Sequence, residues 1–268
     1  MRALMWELHR RSPVLSATAW AHLALLAVMI AVAPFDSRTV MALNPWFKPM
    51  KFAASIAVYL FSVAWLVGYV SRPRWAVRTV EWGVSAVFVV EILAIVAQAA
   101  RGTTSHWNNA TTFDTTLWTA MSIGIQINFL LDCLLLVLLF RRADPGPRLP
   151  LWGARAGMLV FITLATASGL SMVFNGAHTV GAPDGGAGIP FLNWSTRAGD
   201  LRIAHLLGIH ALQILLVSAC LLQRGAGGAG VATRAWLFAL FAFGYAAVGA
   251  WLYVHALGGH PLFPVYQR

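Results

Sequence analysis

Seven apolar runs recur along the chain, at 13–34, 52–70, 75–100, 115–140, 151–174, 201–222 and 235–257. Each is long enough to cross ~30 Å of hydrocarbon as a helix of ~20 residues. They leave no stretch for a separate soluble domain. The chain therefore reads as all-α, an integral membrane bundle of about seven transmembrane helices forming one transmembrane domain over 1–268. Ser12 followed by Pro13 supplies an N-cap and first-turn pair for the first helix. The preceding MRALMWELHRR has the charge of a signal peptide, but the run behind it is too long and lacks a small-x-small cleavage site. It is expected to remain as a membrane helix.

Charge agrees with this reading. Only 10% of residues are charged, against roughly 25% in soluble domains. The net charge of +10 comes from nineteen cationic residues, seventeen of them Arg, scattered through short connections. They read as topology signals, with no aromatic-basic stripe for nucleic acid. Counted by alternate connections, twelve basic residues fall on the side of the N-terminus and seven, including Arg268, on the other. The N-terminus is thus expected in the cytoplasm and the C-terminus outside.

The expected outer connections are the chemically specific ones. They contain NPWFKPMK, RGTTSHWNNATTFD and NGAHTVGAPDGGAGIPFLNWSTRAGDLR. The third is long for a link between neighbouring helices, and its Gly-rich middle predicts a loop folding back over the bundle. Trp46, Phe47, Lys48 and Lys51 suit a short interfacial segment over Asn44–Lys51, serving as an anchor or as a contact for phospholipid or an anionic substrate. Cys133 and Cys220 lie inside apolar runs, where a buried structural role is expected. No internal repeat is evident, which disfavours inverted-repeat transporter folds.

Ionisable groups at membrane depth are site candidates by default. Glu91 and His210 each lie ~13 Å below the outer boundary at ~1.5 Å of rise per residue. Gln98 and Arg101 share the Glu91 face, and Arg202 shares a stripe with Gln213. His205 and His210 are five apart, ~140° around a helix, so one ion is not chelated by both. A metal or haem on His205 needs a ligand from elsewhere, and His255 is the expected partner; Glu91 or His22 is expected for His210. His106, His178, Asp184, Asp200 and His260 add ligands or acid/base groups in loops above. A catalytic zinc takes three such ligands plus water. A second, inner set comprises His22, Glu81 and Asp132. There, Arg78 is expected to pair with Glu81 across one helical turn, and Asp132 to form a polar tie with Gln126 and Asn128.

The segments NPWFKPMKFAAS, ARGTTSHWNN and GDLRIAHLLGIHALQ resemble a family of uncharacterised bacterial polytopic membrane proteins. The resemblance covers the second, third and sixth helices with their outer loops. It implies a multi-helix fold in a bacterial inner membrane and transfers no activity. Rhodopsins also have seven helices, but both lysines here lie at the start of the second helix, so a Schiff-base lysine in the last is missing.

Three functions remain open. One is a membrane-embedded enzyme or cofactor-binding protein with an outward pocket for a small amphipathic or lipid-like molecule. In it, Glu91, His210, His106 and Asp200 are the candidate acid/base groups. Gln98, Arg101, Arg202 and Gln213 contact substrate, and His205 with His255 holds a zinc-like metal or haem. The second is a proton-coupled small-solute transporter using acids at two depths. The third is a non-catalytic scaffold or sensor.

Overall fold

The computed structural model describes residues 2–144, 148–190, 192–225 and 230–264; Arg268, counted above for orientation, lies outside them. Among the described residues, seven helical segments are long and apolar enough to cross a membrane: Pro13–Phe35, Phe47–Val67, Arg74–Ala100, Thr112–Arg141, Arg148–Asn175, Leu201–Gly225 and Val231–Leu257. The chain is a multi-pass helical protein. It divides into two compact units, Met1–Asp144 and Pro145–Arg268.

Unit 1 starts with a short helix α1 (Arg2–Arg11), followed by α2 (Pro13–Val32), α3 (Phe47–Val67), α4 (Arg74–Ala100) and α5 (Thr112–Arg141). Ser12 separates α1 from α2 and caps the latter, its hydroxyl accepting from the Leu15 amide at 3.4 Å. The second membrane helix begins at Phe47 rather than 52, so Lys48 and Lys51 sit on the helix instead of in a separate interfacial segment. Pro49 permits this, because the first turn has no intrahelical acceptor for its amides. α5 begins three residues before the apolar run, where Thr111 caps it. α2 packs on α3, α3 on α4 and α4 on α5, burying Leu15, Leu60, Ile95, Met121 and Leu135. Exposed Leu93 and Leu130 leave an apolar outer surface suited to lipid.

The two ends of unit 1 are tied differently. At one end Arg38 is held by Asp36 at 2.6 Å and donates to the Ala100 carbonyl at 3.0 Å, joining the 36–46 connection to the end of α4. The Arg38 hydrogen bonds hold the Asp36 carboxyl well below the usual carboxylate range. At the other end Arg11 donates to the Trp65 carbonyl at 2.8 Å, and the Asp144 amide donates to the Tyr69 carbonyl at 2.7 Å.

Unit 2 comprises α6 (Arg148–Val160), a π-helical segment (Phe161–Ala165), α7 (Thr166–Asn175), α8 (Leu201–Gly225) and α9 (Val231–Leu257). A two-residue antiparallel ladder, β1 (Thr179–Val180) with β2 (Gly199–Asp200), closes the long 176–200 connection upon itself. The principal seam joins α6 to α8. Gly153 and Gly157 are four apart on α6, the small-xxx-small spacing that lets membrane helices approach closely. A Cβ on Gly157 would lie 2.9 Å from the Ala211 carbonyl, and one on Gly153 2.8 Å from that of Leu215. The wall is backbone for Gly157, and for Gly153 backbone together with the Ala219 Cβ at 2.5 Å; none of these atoms can rotate aside.

Gly157→Ala is therefore expected to destabilise the purified protein by about 1–3 kcal/mol, as overpacked cores do. Gly169→Ala, whose Cβ would stand 3.6 Å from His205 Cε1, is expected to be neutral or stabilising. Thermal unfolding in detergent compares the two, and equal midpoints would contradict the close seam.

Candidate functional site

The candidate residues fall in both units. Glu91, Gln98, Arg101 and His106 belong to unit 1, and Asp200, Arg202, His205, His210, Gln213 and His255 to unit 2.

In unit 1, Gln98 and Arg101 do converge, as their spacing predicts, with Arg101 Nη1 donating to Gln98 Oε1 at 2.5 Å. What gathers them is Asp114, a residue the sequence reading passed over. Its Oδ1 accepts from Arg101 and, at 2.8 Å, from Gln98 Nε2; its Oδ2 accepts from the Thr111 hydroxyl at 2.7 Å. The Asp114 amide in turn donates to Thr111 Oγ1 at 3.2 Å. Thr111 is thus the N-cap of α5, and its Thr-x-x-Asp signature at 111–114 was available in the sequence. The Arg101 charge, expected to hold an anionic substrate, is thus already matched by a buried carboxylate.

His106 stands over the same helix ends among aromatic rings, 5.7 Å from Phe52 and 5.2 Å from Trp118 between centroids, with Nδ1 3.0 Å from Ser105 Oγ. Phe52 and Trp118 pack on Ala94, Ile95 and Met121. One turn further along α4 is Glu91. It is only 3% exposed, and its Oε2 finds no hydrogen-bond partner among the described residues. The Lys48 ammonium on α3 acts on it electrostatically.

Deeper in unit 1, Asp132 has one oxygen 2.6 Å from the Tyr59 hydroxyl and the other 2.7 Å from Asn128 Nδ2. The expected tie with Asn128 is present, but Gln126 is exposed, and the helix actually joined to α5 is α3, through Tyr59. Gln126 points elsewhere because it lies two positions, ~200°, from Asn128 on the helix. His22 joins α2 to α4: Nδ1 lies 2.7 Å from the Thr18 carbonyl and Nε2 3.3 Å from that of Phe88. The Phe88 ring meets Tyr59 edge-on at 5.1 Å. His22 and Asp132 thus lie along one seam, whereas among the described residues Glu81 makes no ion pair with Arg78, whose exposed guanidinium gains little from a pairing at the surface.

In unit 2, Arg202 turns back to Asp200, donating from Nε to Oδ1 at 2.9 Å and from Nη2 to Oδ2 at 2.6 Å. Arg202 also reaches the Asn193 carbonyl, and Asp200 accepts from the Ser195 amide at 2.8 Å. Asp200 is thereby a fastener for the long connection. His178 and Asp184 are a second fastener. The Asp184 carboxylate accepts from both the His178 and Thr179 amides, from Thr179 Oγ1 at 2.8 Å, and from His178 Nδ1 at 2.5 Å. Burial alone would raise the Asp184 carboxyl, but the His178 and Thr179 hydrogen bonds outweigh it and hold the group well below the usual range.

His205 is partly buried, with Nδ1 2.8 Å from the Ala165 carbonyl, inside the π-helical segment. A carbonyl only accepts, so Nδ1 carries the proton and Nε2 the lone pair. His210 Nδ1 lies 3.3 Å from Gln213 Oε1, and His255 stacks on Trp251 at 5.0 Å and meets His260 at 5.3 Å. Among the described residues no three His, Cys, Asp or Glu gather to hold a metal ion. A zinc-like centre on His205 and His255 therefore lacks the third ligand it needs.

The class this architecture defines is a seven-span helical membrane protein with one buried, incompletely bonded carboxyl. No family model, curated protein or solved structure matches the chain.

The Asp184 fastener carries a pH signature. A carboxyl depressed on folding stabilises at every pH above its ordinary value of ~3.9 and stops doing so as pH falls through the lower native value. The His178 and Thr179 amides are expected to stay protected from hydrogen exchange from neutral pH to below 3.9. Asp184→Asn should cut that protection about tenfold or more at pH 7, the scale of hydrogen bonds to a charged acceptor. Unchanged protection in the variant would refute the assignment.

Proposed function

We propose that the chain is a proton-coupled small-solute transporter of a bacterial inner membrane, with its N-terminus in the cytoplasm and Glu91 as the residue that takes up and releases the proton. The observation supporting this is the open oxygen of Glu91. Asp114, Asp132 and Asp200 are equally buried, and each has its oxygens occupied by two or more donors. Exchanging a proton at any of those carboxyls would break internal bonds. Glu91 alone among the buried acids exchanges one without such a loss. Intramembrane carboxyls are costly, and where they occur they mark proton and ion pathways. Lys48, the charge felt by Glu91, lies one turn before Phe52 on α3, so a change in either group is felt where α3, α4 and the His106 ring meet. Three of the groups proposed for substrate chemistry, Arg101, Arg202 and Asp200, are engaged within the protein, which weakens the reading as an enzyme for an anionic substrate.

A second reading has one observation in its favour. His205 gives Nδ1–H to a backbone carbonyl, the arrangement that orients ligating histidines in metal and haem proteins. A visible spectrum of the purified protein separates it: a Soret band lost in His205→Ala supports a haem on Nε2.

In proteoliposomes under an inward pH gradient, amino acids, small amines and mono- and dicarboxylates are screened for solute-dependent proton flux. Wild type is expected to respond to at least one class. Glu91→Gln is expected to lose more than about tenfold of that flux while unfolding at an unchanged temperature, since no internal bond is removed. Full flux in Glu91→Gln, or none in wild type for every class, would overturn the proposal.

A further inference from the structure

Four helix termini meet at one end of unit 1: the end of α1, the end of α3, the start of α4 and the end of α5. Hydrogen bonds fix this grouping, with Arg11 bonded to the Trp65 carbonyl at 2.8 Å and Ser71 bonded through amide and hydroxyl to Asp144 at 2.9 Å each. Eight arginines collect here against three acids, Glu7, Glu81 and Asp144. Glu7 is consumed by Arg10 and Arg11, whose hydrogen bonds hold its carboxyl well below the ordinary range, and Asp144 by Ser71.

Six guanidinium groups are left over. Arg2, Arg72, Arg74, Arg78, Arg141 and Arg142 are all exposed, and among the described residues none of these side chains has a hydrogen bond or ion pair. At the opposite end of the same unit, Arg38 and Arg101 are each matched by an aspartate. The difference between the ends is one of counterions as well as of number. Two indole rings, Trp6 at 66% and Trp75 at 68% exposure, stand among the unmatched arginines. Indoles prefer headgroup depth, and guanidinium groups bind phosphate through parallel N–H donors. Within α1, Arg2, Trp6 and Arg10 follow one another at steps of four along one face, all exposed.

We propose that this arginine-rich end of unit 1 is a binding surface for the headgroups of anionic phospholipids, with Arg72, Arg74 and Arg78 at its centre and Trp6 and Trp75 seated at the level of the glycerol backbone. Clusters of four to eight basic residues beside a membrane helix attract anionic lipid at about fivefold in affinity per residue. A topology signal needs the same charges during insertion but needs no lipid preference in the folded protein. That difference makes the two roles separable.

Native mass spectrometry of the full chain released from detergent provides the test, with phosphatidylglycerol and phosphatidylcholine of identical acyl chains added in turn. Wild type is expected to bind phosphatidylglycerol about a hundredfold more tightly, the product of about fivefold from each of the three central arginines. The triple variant Arg72→Gln, Arg74→Gln, Arg78→Gln is expected to lower that preference to threefold or less, while the pair Arg38→Gln, Arg197→Gln leaves it unchanged. If the triple variant does not fold, Arg74→Gln alone should reduce the preference about fivefold. Equal binding of the two lipids by wild type, or a preference surviving in the triple variant, would overturn the proposal. So would displacement of phosphatidylglycerol by millimolar inorganic phosphate, which would make the surface a site for the free anion.

Discussion

Moving a hydroxyl, imidazole or carboxyl out of water costs several kcal/mol unless a partner replaces the water. Most hydroxyls here use a carbonyl one turn back on their own helix, as Ser62 and Ser122 do, but five polar side chains find a partner on another helix. Tyr59 reaches from α3 to Asp132 on α5, His22 from α2 to the Phe88 carbonyl on α4, and His205 from α8 to the Ala165 carbonyl. Tyr245 on α9 donates to the Leu207 carbonyl at 2.6 Å, and Ser171 meets Tyr253 at 2.7 Å. Individually such bonds are modest, averaging about 0.6 kcal/mol between membrane helices. Their larger effect is on register. An apolar helix slides or rotates against its neighbour at little cost, whereas one that carries Tyr59 or His22 does so only by stranding a polar group. The Gly153–Gly157 seam adds the complementary constraint of close backbone approach, which fixes spacing where no side chain intervenes.

These two devices were unequally legible in the sequence. The seven spans were, because length and hydropathy are properties of a segment and need no neighbour. The Ser12–Pro13 start was as well, since caps act within one turn. Ends set by polar residues were missed: α3 extends over Phe47–Lys51, and α5 starts at Thr112, because a hydropathy window discounts lysine and threonine even where a cap or a first-turn proline favours helix. The helix α1 was also passed over, its polar residues lying outside any apolar run. Depth along a helix was readable from residue number, which is why His22 and Asp132 were placed at one level. Partners were not. For Asp132 the sequence suggests Gln126 and Asn128 of its own helix; Asn128 does bond it, but the group that completes its shell is Tyr59, 73 residues away.

The arginines show the same limit from the side of charge. Arg101 and Arg202 looked available for an anion because a sequence displays charges without their counterions. The counterions were close by: Asp200 lies two residues from Arg202, and Asp114 thirteen from Arg101. Both pairs fasten a connection to a helix end. The fastened connections hold the conformationally costly residues, including left-handed Asn193 in unit 2 and Trp107 in unit 1. Fixing such loops takes ordered donors and acceptors, and these aspartates supply acceptors to several at once. Polar residues that stand out in a membrane sequence are thus divided between structure and chemistry by whether their hydrogen bonds close internally.

On that criterion Glu91 separates from the rest. Its neighbours along α4, Gln98 and Arg101, close onto Asp114, and the Phe88 carbonyl one turn earlier closes onto His22. A leucine at 91 would remove the only buried carboxyl with an open oxygen among the described residues, and nothing in the surrounding network depends on that oxygen. Stability alone therefore gives no reason for an acid at this position, since an apolar side chain of similar size avoids the desolvation cost altogether. An acid that the fold does not use is the natural carrier for the exchange proposed above. The proposed proton exchange rests on this position, which feels the Lys48 charge one turn of α4 from Ala94 and Ile95, on which Phe52 and Trp118 pack.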